Sequence, residues 1–166
     1  LPQGRVRVLN VHYVIDVTGR VRQIKNPDEP ERKFHTKRAR ALQQQAVLAW
    51  LGETDGARAA VGDFNTPPNA LYYRQLAARA VDAFGTVGRG WGFTFRRDQP
   101  LIRIDYVWCA GKLQPLKAFT TEGGVSDHRL LVTDLLVPEK QGKPAVRKHV
   151  KPAQEPEEDT GPVDTG

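Results

Sequence analysis

Small and apolar residues run from Ala60 and Val61 into Gly62-Asp63-Phe64-Asn65, and Thr66, Pro67, Pro68 and Asn69 then stop them. A short buried strand that ends at a glycine and a double proline must turn at the sheet edge, and the side chains standing there are presented together. If strand geometry persists through the turn, Asp63 and Asn65 are two apart and point the same way. A carboxylate beside a carboxamide offers hard oxygen donors, suited to a divalent cation or to a water held against a phosphate. Asp, Asn and Pro are equally the residues of an ordinary turn, where their side chains bond to their own backbone. Both readings stand on this stretch alone, and the rest of the chain has to decide.

Upstream, Arg5 to Ile15 alternates basic and apolar residues and then becomes more uniformly apolar, as a strand entering a core does, with His12 near its far end. Residues 16–35 hold Gly19, Pro27 and Pro30 among many charges and are expected to form a long irregular loop. Thr36 is placed to cap a helix reaching about Leu51, with Leu42, Ala46, Ala49 and Trp50 on one face and Gly52 as its stop. Lys37, Arg38 and Arg40 then fall near the unfavourable end of the helix dipole, so they serve solvation or an anion rather than the helix.

Downstream of the turn, Asn69 is placed to cap a short helix over residues 70–78, and residues 80–84 suit a short strand. From Arg89 to Arg97 aromatics and arginines interleave, which fits an edge strand burying its aromatics. It equally fits a surface where Trp91 stacks on bases while Arg96 and Arg97 bind phosphates. Leu101 to Trp108 is apolar and β-branched enough for a central strand, yet contains Asp105. A buried carboxylate needs a partner, either Arg103 on the same face or a histidine brought from elsewhere. Leu113 to Thr121 suits a further strand, and Gly123-Gly124 leads into Val125-Ser126-Asp127-His128 and another. Adjacent Ser126, Asp127 and His128 cannot form a hydrolase triad among themselves, since neighbours on an extended chain point apart.

Charge and composition narrow the classes. Residues 1–138 carry 20 Lys and Arg against 13 Asp and Glu, a surplus of +7, and favour polyanionic partners such as nucleic acid or anionic headgroups. A lone Cys109 permits no intrachain disulfide, and with four scattered His it offers no zinc spacing. The glycines lack phosphate-loop spacing, and no apolar run approaches a membrane span. From Pro138 onward the chain turns to Lys, Pro, Gln, Glu and Gly, too polar to fold, so residues 138–166 are expected to be a disordered tail and 1–137 the folded part. The compartment stays open, with a soluble, cytoplasmic protein the default and secretion compatible.

Taken in order, Asn10-Val11-His12, Gly62-Asp63-Phe64-Asn65, Arg103-Ile104-Asp105-Tyr106 and Ser126-Asp127-His128 resemble the motifs of the endonuclease/exonuclease/phosphatase superfamily, the DNase I-like proteins, over roughly residues 5–137. The resemblance implies an α+β fold, part of a four-layer α/β sandwich in which two packed, mainly antiparallel sheets are flanked by helices. It implies hydrolysis of a phosphodiester or phosphomonoester, with magnesium, or manganese in its place. Carried over, Asp63 and Asn65 hold the attacking water and the phosphate, and Asp127 lies by the metal. His128 meets the scissile phosphate with Asp105 fixing its tautomer, and His12 is a second phosphate-facing histidine.

The superfamily's early half, with an asparagine on its first strand and a metal-binding glutamate soon after, has no match here. The chain is therefore expected to be the carboxy-terminal portion of a longer domain, completed by the parent chain or by a partner chain. Its substrate is a phosphate ester, with DNA or RNA favoured by the charge and by the 91–97 stretch. The alternative is a non-catalytic basic module that binds nucleic acid or anionic surfaces.

Overall fold

The computed structural model describes residues 5–13 and 29–137. Strands β1 (Val6–His12), β2 (Ala57–Asp63), β3 (Val81–Asp82) and β4 (Asp105–Ala110) form one sheet in the order β1-β2-β4-β3. β1 runs parallel to β2, and the other pairings are antiparallel. β5 (Gln114–Thr121) and β6 (Leu130–Leu136) make a second, antiparallel sheet. Helix α1 (Glu29–Leu51) precedes β2, α2 (Leu71–Ala77) follows it, and α3 (Ala83–Val87) follows β3.

The period of two along the strands sorts the core into two layers. Ala60, Tyr106 and Trp108 face α1 and α2, where they pack with Val11, Val47, Leu51, Phe64, Tyr72 and Leu76. Ala57, Ala59 and Cys109 face the second sheet and meet Leu113, with Leu135 and Val137 against them. This is a mixed α and β architecture of two stacked sheets, with α1 and α2 on the outer face of the larger one and Ala83 of α3 in the cluster between the sheets. The two-stranded sheet does not cover the whole inner face of the larger one: Val8, in register with Ala59, is 63% exposed.

Several expectations are corrected. The helix begins at Glu29, not Thr36, so residues 29–35 are helical and the rest of the expected loop lies outside the described residues. Pro30 does not oppose this, because a proline in a helix's first turn lacks only an N–H that has no intrahelical acceptor. The helix buries Val47 and Leu51, while Leu42, Ala46 and Ala49 are exposed. Ala70, not Asn69, occupies the cap of α2 and makes no side-chain cap bond. Residues 89–97 are irregular, with isolated bridges from Phe95 to Ile102 and to His128 in place of an edge strand. Arg103 pairs with Asp82 at 2.6 Å, both buried, and leaves Asp105 to another partner. The expected tail lies outside the described residues.

Candidate active site

The site is built at one end of three neighbouring strands. His12 stands in register with Asp63 across the parallel pair, and Asp63 with Asp105 across the antiparallel pair. Residues in register share a face, so one imidazole and two carboxylates form a row on the side that looks toward the second sheet. His12 Nε2 lies 3.8 Å from Asp63 Oδ2, with the histidine 79% exposed and the aspartate largely buried. Gly62 makes this approach possible, since it has φ +123° and a Cβ there would stand 2.2 Å from the Val11 carbonyl oxygen.

His128 joins the row from the loop before β6. Its Nδ1 lies 2.8 Å from Asp105 Oδ2, so Nδ1–H donates to the carboxylate and Nε2 is left for the site. This is the histidine from elsewhere that a carboxylate in a central strand required. The segment that looked like a nucleic-acid surface is its seat. Arg97 N–H donates to the Asp127 carbonyl at 2.7 Å, Arg129 N–H to the Thr94 carbonyl at 2.8 Å, and the Phe95 ring lies 4.9 Å from the His128 ring. Arg97 also donates from its guanidinium to the Gly124 carbonyl. Arg96 is exposed beside Asp98, and Trp91, 82% exposed, stacks on Phe93 at 5.8 Å.

Asn65 departs from strand geometry, with φ +44°, and the turn folds it back on Asp63. Its N–H donates to Asp63 Oδ1 at 2.7 Å, and its Nδ2 to Asp63 Oδ2 at 3.1 Å and to the Tyr13 carbonyl at 2.9 Å. The turn reading of the stretch is realised, with the aspartate capping its own turn, and that turn stands beside the row.

Three supports were not legible in the sequence. Fully buried Thr94 accepts the N–H groups of Ile104 and Asp105 at 3.1 and 3.2 Å. Tyr106 donates its hydroxyl to the Thr66 carbonyl at 2.7 Å and the Arg103 carbonyl at 2.9 Å, tying the turn to β4. Arg40, on α1, donates to the Asn65 carbonyl at 2.7 Å and to Thr66 Oγ1 at 3.1 Å. An arginine and a threonine at such sequence distances carry no local pattern; only the fold brings them together.

The electrostatics follow from this crowding. Burial raises the pKa of Asp63, and the facing Asp105 carboxylate adds to it, against the Asn65 N–H and the two histidines. Burial opposes charge on His128, but the hydrogen bond and charge of Asp105, with Asp63 and Asp127 behind them, prevail and lift its pKa above the usual imidazole value. Both shifts are upward: burial and the facing carboxylate raise Asp63, and the Asp105 carboxylate raises His128 against its burial.

Asp63, Asp105 and His128 each bring one ligand atom within 4.8 Å of the others. Magnesium is often held by one or two carboxylates, with waters and substrate oxygens completing its shell, and two partly buried carboxylates in mutual repulsion suit such a cation. Asp127 stands outside this cluster, exposed on the loop, close enough for its charge to act on His128.

Two stacked sheets thus carry a row of acids and imidazoles at the ends of neighbouring strands. The sequence model of the endonuclease/exonuclease/phosphatase family matches residues 2–128, and the chain belongs to that family. Members of this family are generally hydrolases of phosphoesters that use divalent metals. Among solved structures, the chain is similar to an endonuclease/exonuclease/phosphatase from Bacteroides vulgatus, with 20% identity and a TM-score of 0.52, covering 61% of this chain and 45% of that one. It is also similar to a functionally unknown conserved protein from Enterococcus faecalis, with 19% identity and a TM-score of 0.55, covering 79% of this chain and 50% of that one. At these identities the likeness is one of fold. The chain spans about half the length of these structures. No curated protein sequence matches it.

Proposed function

We propose that the chain carries the acid–imidazole part of a magnesium-dependent phosphoesterase site. The observation that supports this most is the His12, Asp63, Asp105 row with His128 bonded to Asp105 at 2.8 Å. A phosphodiester resists attack because its own charge repels nucleophiles, so catalysis needs positive charge at the phosphate and a base at the water. Asp63, whose carboxylate is made more basic by burial, takes the proton of a water that it and Asn65 orient. The imidazolium of His128 turns its Nε2–H to a phosphate oxygen, Asp105 keeps that ring in place, and exposed His12 offers a second contact. A magnesium ion held by the carboxylates of the cluster, with Asp127 at its rim, would supply further neutralising charge.

Hydrolysis of bis(p-nitrophenyl) phosphate, and of nicked and single-stranded DNA, with magnesium and with chelator tests this reading. Chelator-sensitive turnover that is absent in Asp63→Ala supports it, and undiminished turnover in that variant overturns it. Trp91 favours nucleic acid among the substrates, because an exposed indole stacked on Phe93 offers a face to a base. The completing half of the domain is part of the proposal. Val8 is an apolar side chain on the inner face with too little sheet above it, and the matched part of this chain accounts for only 45% and 50% of the solved structures similar to it. A basic, non-catalytic binding module is the second reading. It predicts salt-sensitive nucleic-acid binding that survives Asp63→Ala and weakens when Arg96 and Arg97 are replaced.

A further inference from the structure

We propose that Arg40 is a positioning residue that sets the orientation of the Asp63 carboxylate through the turn at Asn65. The catalytic part of this inference rests on the phosphoesterase reading; the structural part does not.

Asn65 has φ +44°, a conformation that a residue with a Cβ adopts only when its surroundings hold it there, although asparagine tolerates it better than most. Its carbonyl is held by Arg40 Nη2 at 2.7 Å. Its N–H and Nδ2 are the donors that hold the two oxygens of Asp63, at 2.7 and 3.1 Å. The residue gripped by Arg40 is therefore the one that grips the carboxylate. The groups facing Asp63 from neighbouring elements do not replace it. His12 on β1 stands 3.8 Å away, Asp105 on β4 repels, and His128 is bonded to Asp105.

The same guanidinium nitrogen reaches Thr66 Oγ1 at 3.1 Å, and that buried hydroxyl donates in turn to the Phe64 carbonyl at 2.7 Å. Arg40 also lies 5.9 Å from the centroid of the Tyr13 ring, whose backbone carbonyl accepts the Asn65 amide. A single side chain thus connects the body of α1 to both residues after Phe64. Helix α1 is anchored to the core further along by Val47 and Leu51, so the grip comes from a packed element rather than from a loop. Without it, Asn65 can return to an extended backbone, and both donors leave Asp63 together.

The test compares Arg40→Met and Arg40→Lys in the full chain by NMR. It reads the φ-dependent HN–Hα coupling of Asn65 and the exchange of its side-chain amide protons. In Arg40→Met the coupling moves to an extended value and exchange accelerates roughly tenfold or more. In Arg40→Lys both stay near wild type, since one ammonium can make both contacts that one guanidinium nitrogen makes. With bis(p-nitrophenyl) phosphate and magnesium, kcat falls about 10- to 100-fold in Arg40→Met at unchanged KM and recovers in Arg40→Lys.

An unaltered Asn65 in folded Arg40→Met overturns the inference, as does a raised KM at unchanged kcat, which would make Arg40 a direct substrate contact. If Arg40→Met loses its near-ultraviolet circular dichroism, Arg40→Gln takes its place under the same criteria. A wild-type chain without turnover counts against the phosphoesterase reading, and the NMR comparison still decides the positioning role.

Discussion

Asp63 and Asp105 occupy directly opposed positions on β2 and β4, two carboxylates in register at the end of an antiparallel pair. Like charges so placed repel, and a fold selected for stability alone would not keep both. His128 offsets one of them through its bond to Asp105. Asp63 is left with a raised pKa caused first by burial and then by its neighbour.

Replacing Asp63 by Asn should therefore separate function from stability. Turnover is expected to be lost, while the metal-free protein stays folded, because relief of the contact with Asp105 offsets the one Asn65 bond that the new amide cannot accept. A folded pKa raised above the unfolded value places the stability cost of Asp63 above that folded pKa, and the cost disappears as pH falls toward the ordinary carboxylate range. The stability of Asp63→Asn relative to wild type should accordingly be greatest at neutral pH and decline on acidification, as thermal melts in chelator across pH would show.

His128 has the opposite sign. Its folded pKa is raised despite burial, so the Asp105 pair stabilises the fold fully below the unfolded imidazole value and ceases to do so as pH rises through the folded one. Asp105→Asn removes the cause, and an NMR titration of the His128 ring should show its pKa falling. If turnover uses the imidazolium, the alkaline limb of the rate profile falls with it, and the rate drops on the order of 10²- to 10⁴-fold.

Thr94→Val tests the seat of Asp105. The hydroxyl accepts two N–H groups, those of Ile104 and Asp105, in a fully buried position. Its removal leaves both donors unmet at a cost of about 1–3 kcal/mol for each buried group, readable by urea unfolding.

Away from the row, the Arg103 and Asp82 pair is buried at 2.6 Å, with Tyr73 also donating to Asp82. Arg103→Met strands the carboxylate and should destabilise the fold by about 3–5 kcal/mol. Replacing both partners with apolar residues should recover much of that loss, which a double-mutant cycle would measure.

The row was legible because each member sits in a short local pattern: an acid where an apolar strand stops, an acid inside a strand, a histidine after a double glycine. The partner of Asp105 was not decidable locally. Arg103 looked like a same-face neighbour two residues away, but β4 starts only at Asp105, and the guanidinium packs instead over the Tyr106 ring at 4.8 Å. The helix start was hidden by Pro30, which punctuates a loop and opens a helix equally well. The buried face of α1 was misplaced because Ala and Leu positions compete when a helix is this polar, and tertiary packing chose Val47 and Leu51.

His12, Asp63 and Asp105 come from segments far apart in the chain and meet only because two strand pairings place them side by side. Sliding any one of these strands by a single residue would turn its member of the trio to the opposite side of the sheet. The chemistry is thereby conditional on correct pairing: a misregistered chain, however compact, would have no assembled site, so activity would double as a check on folding.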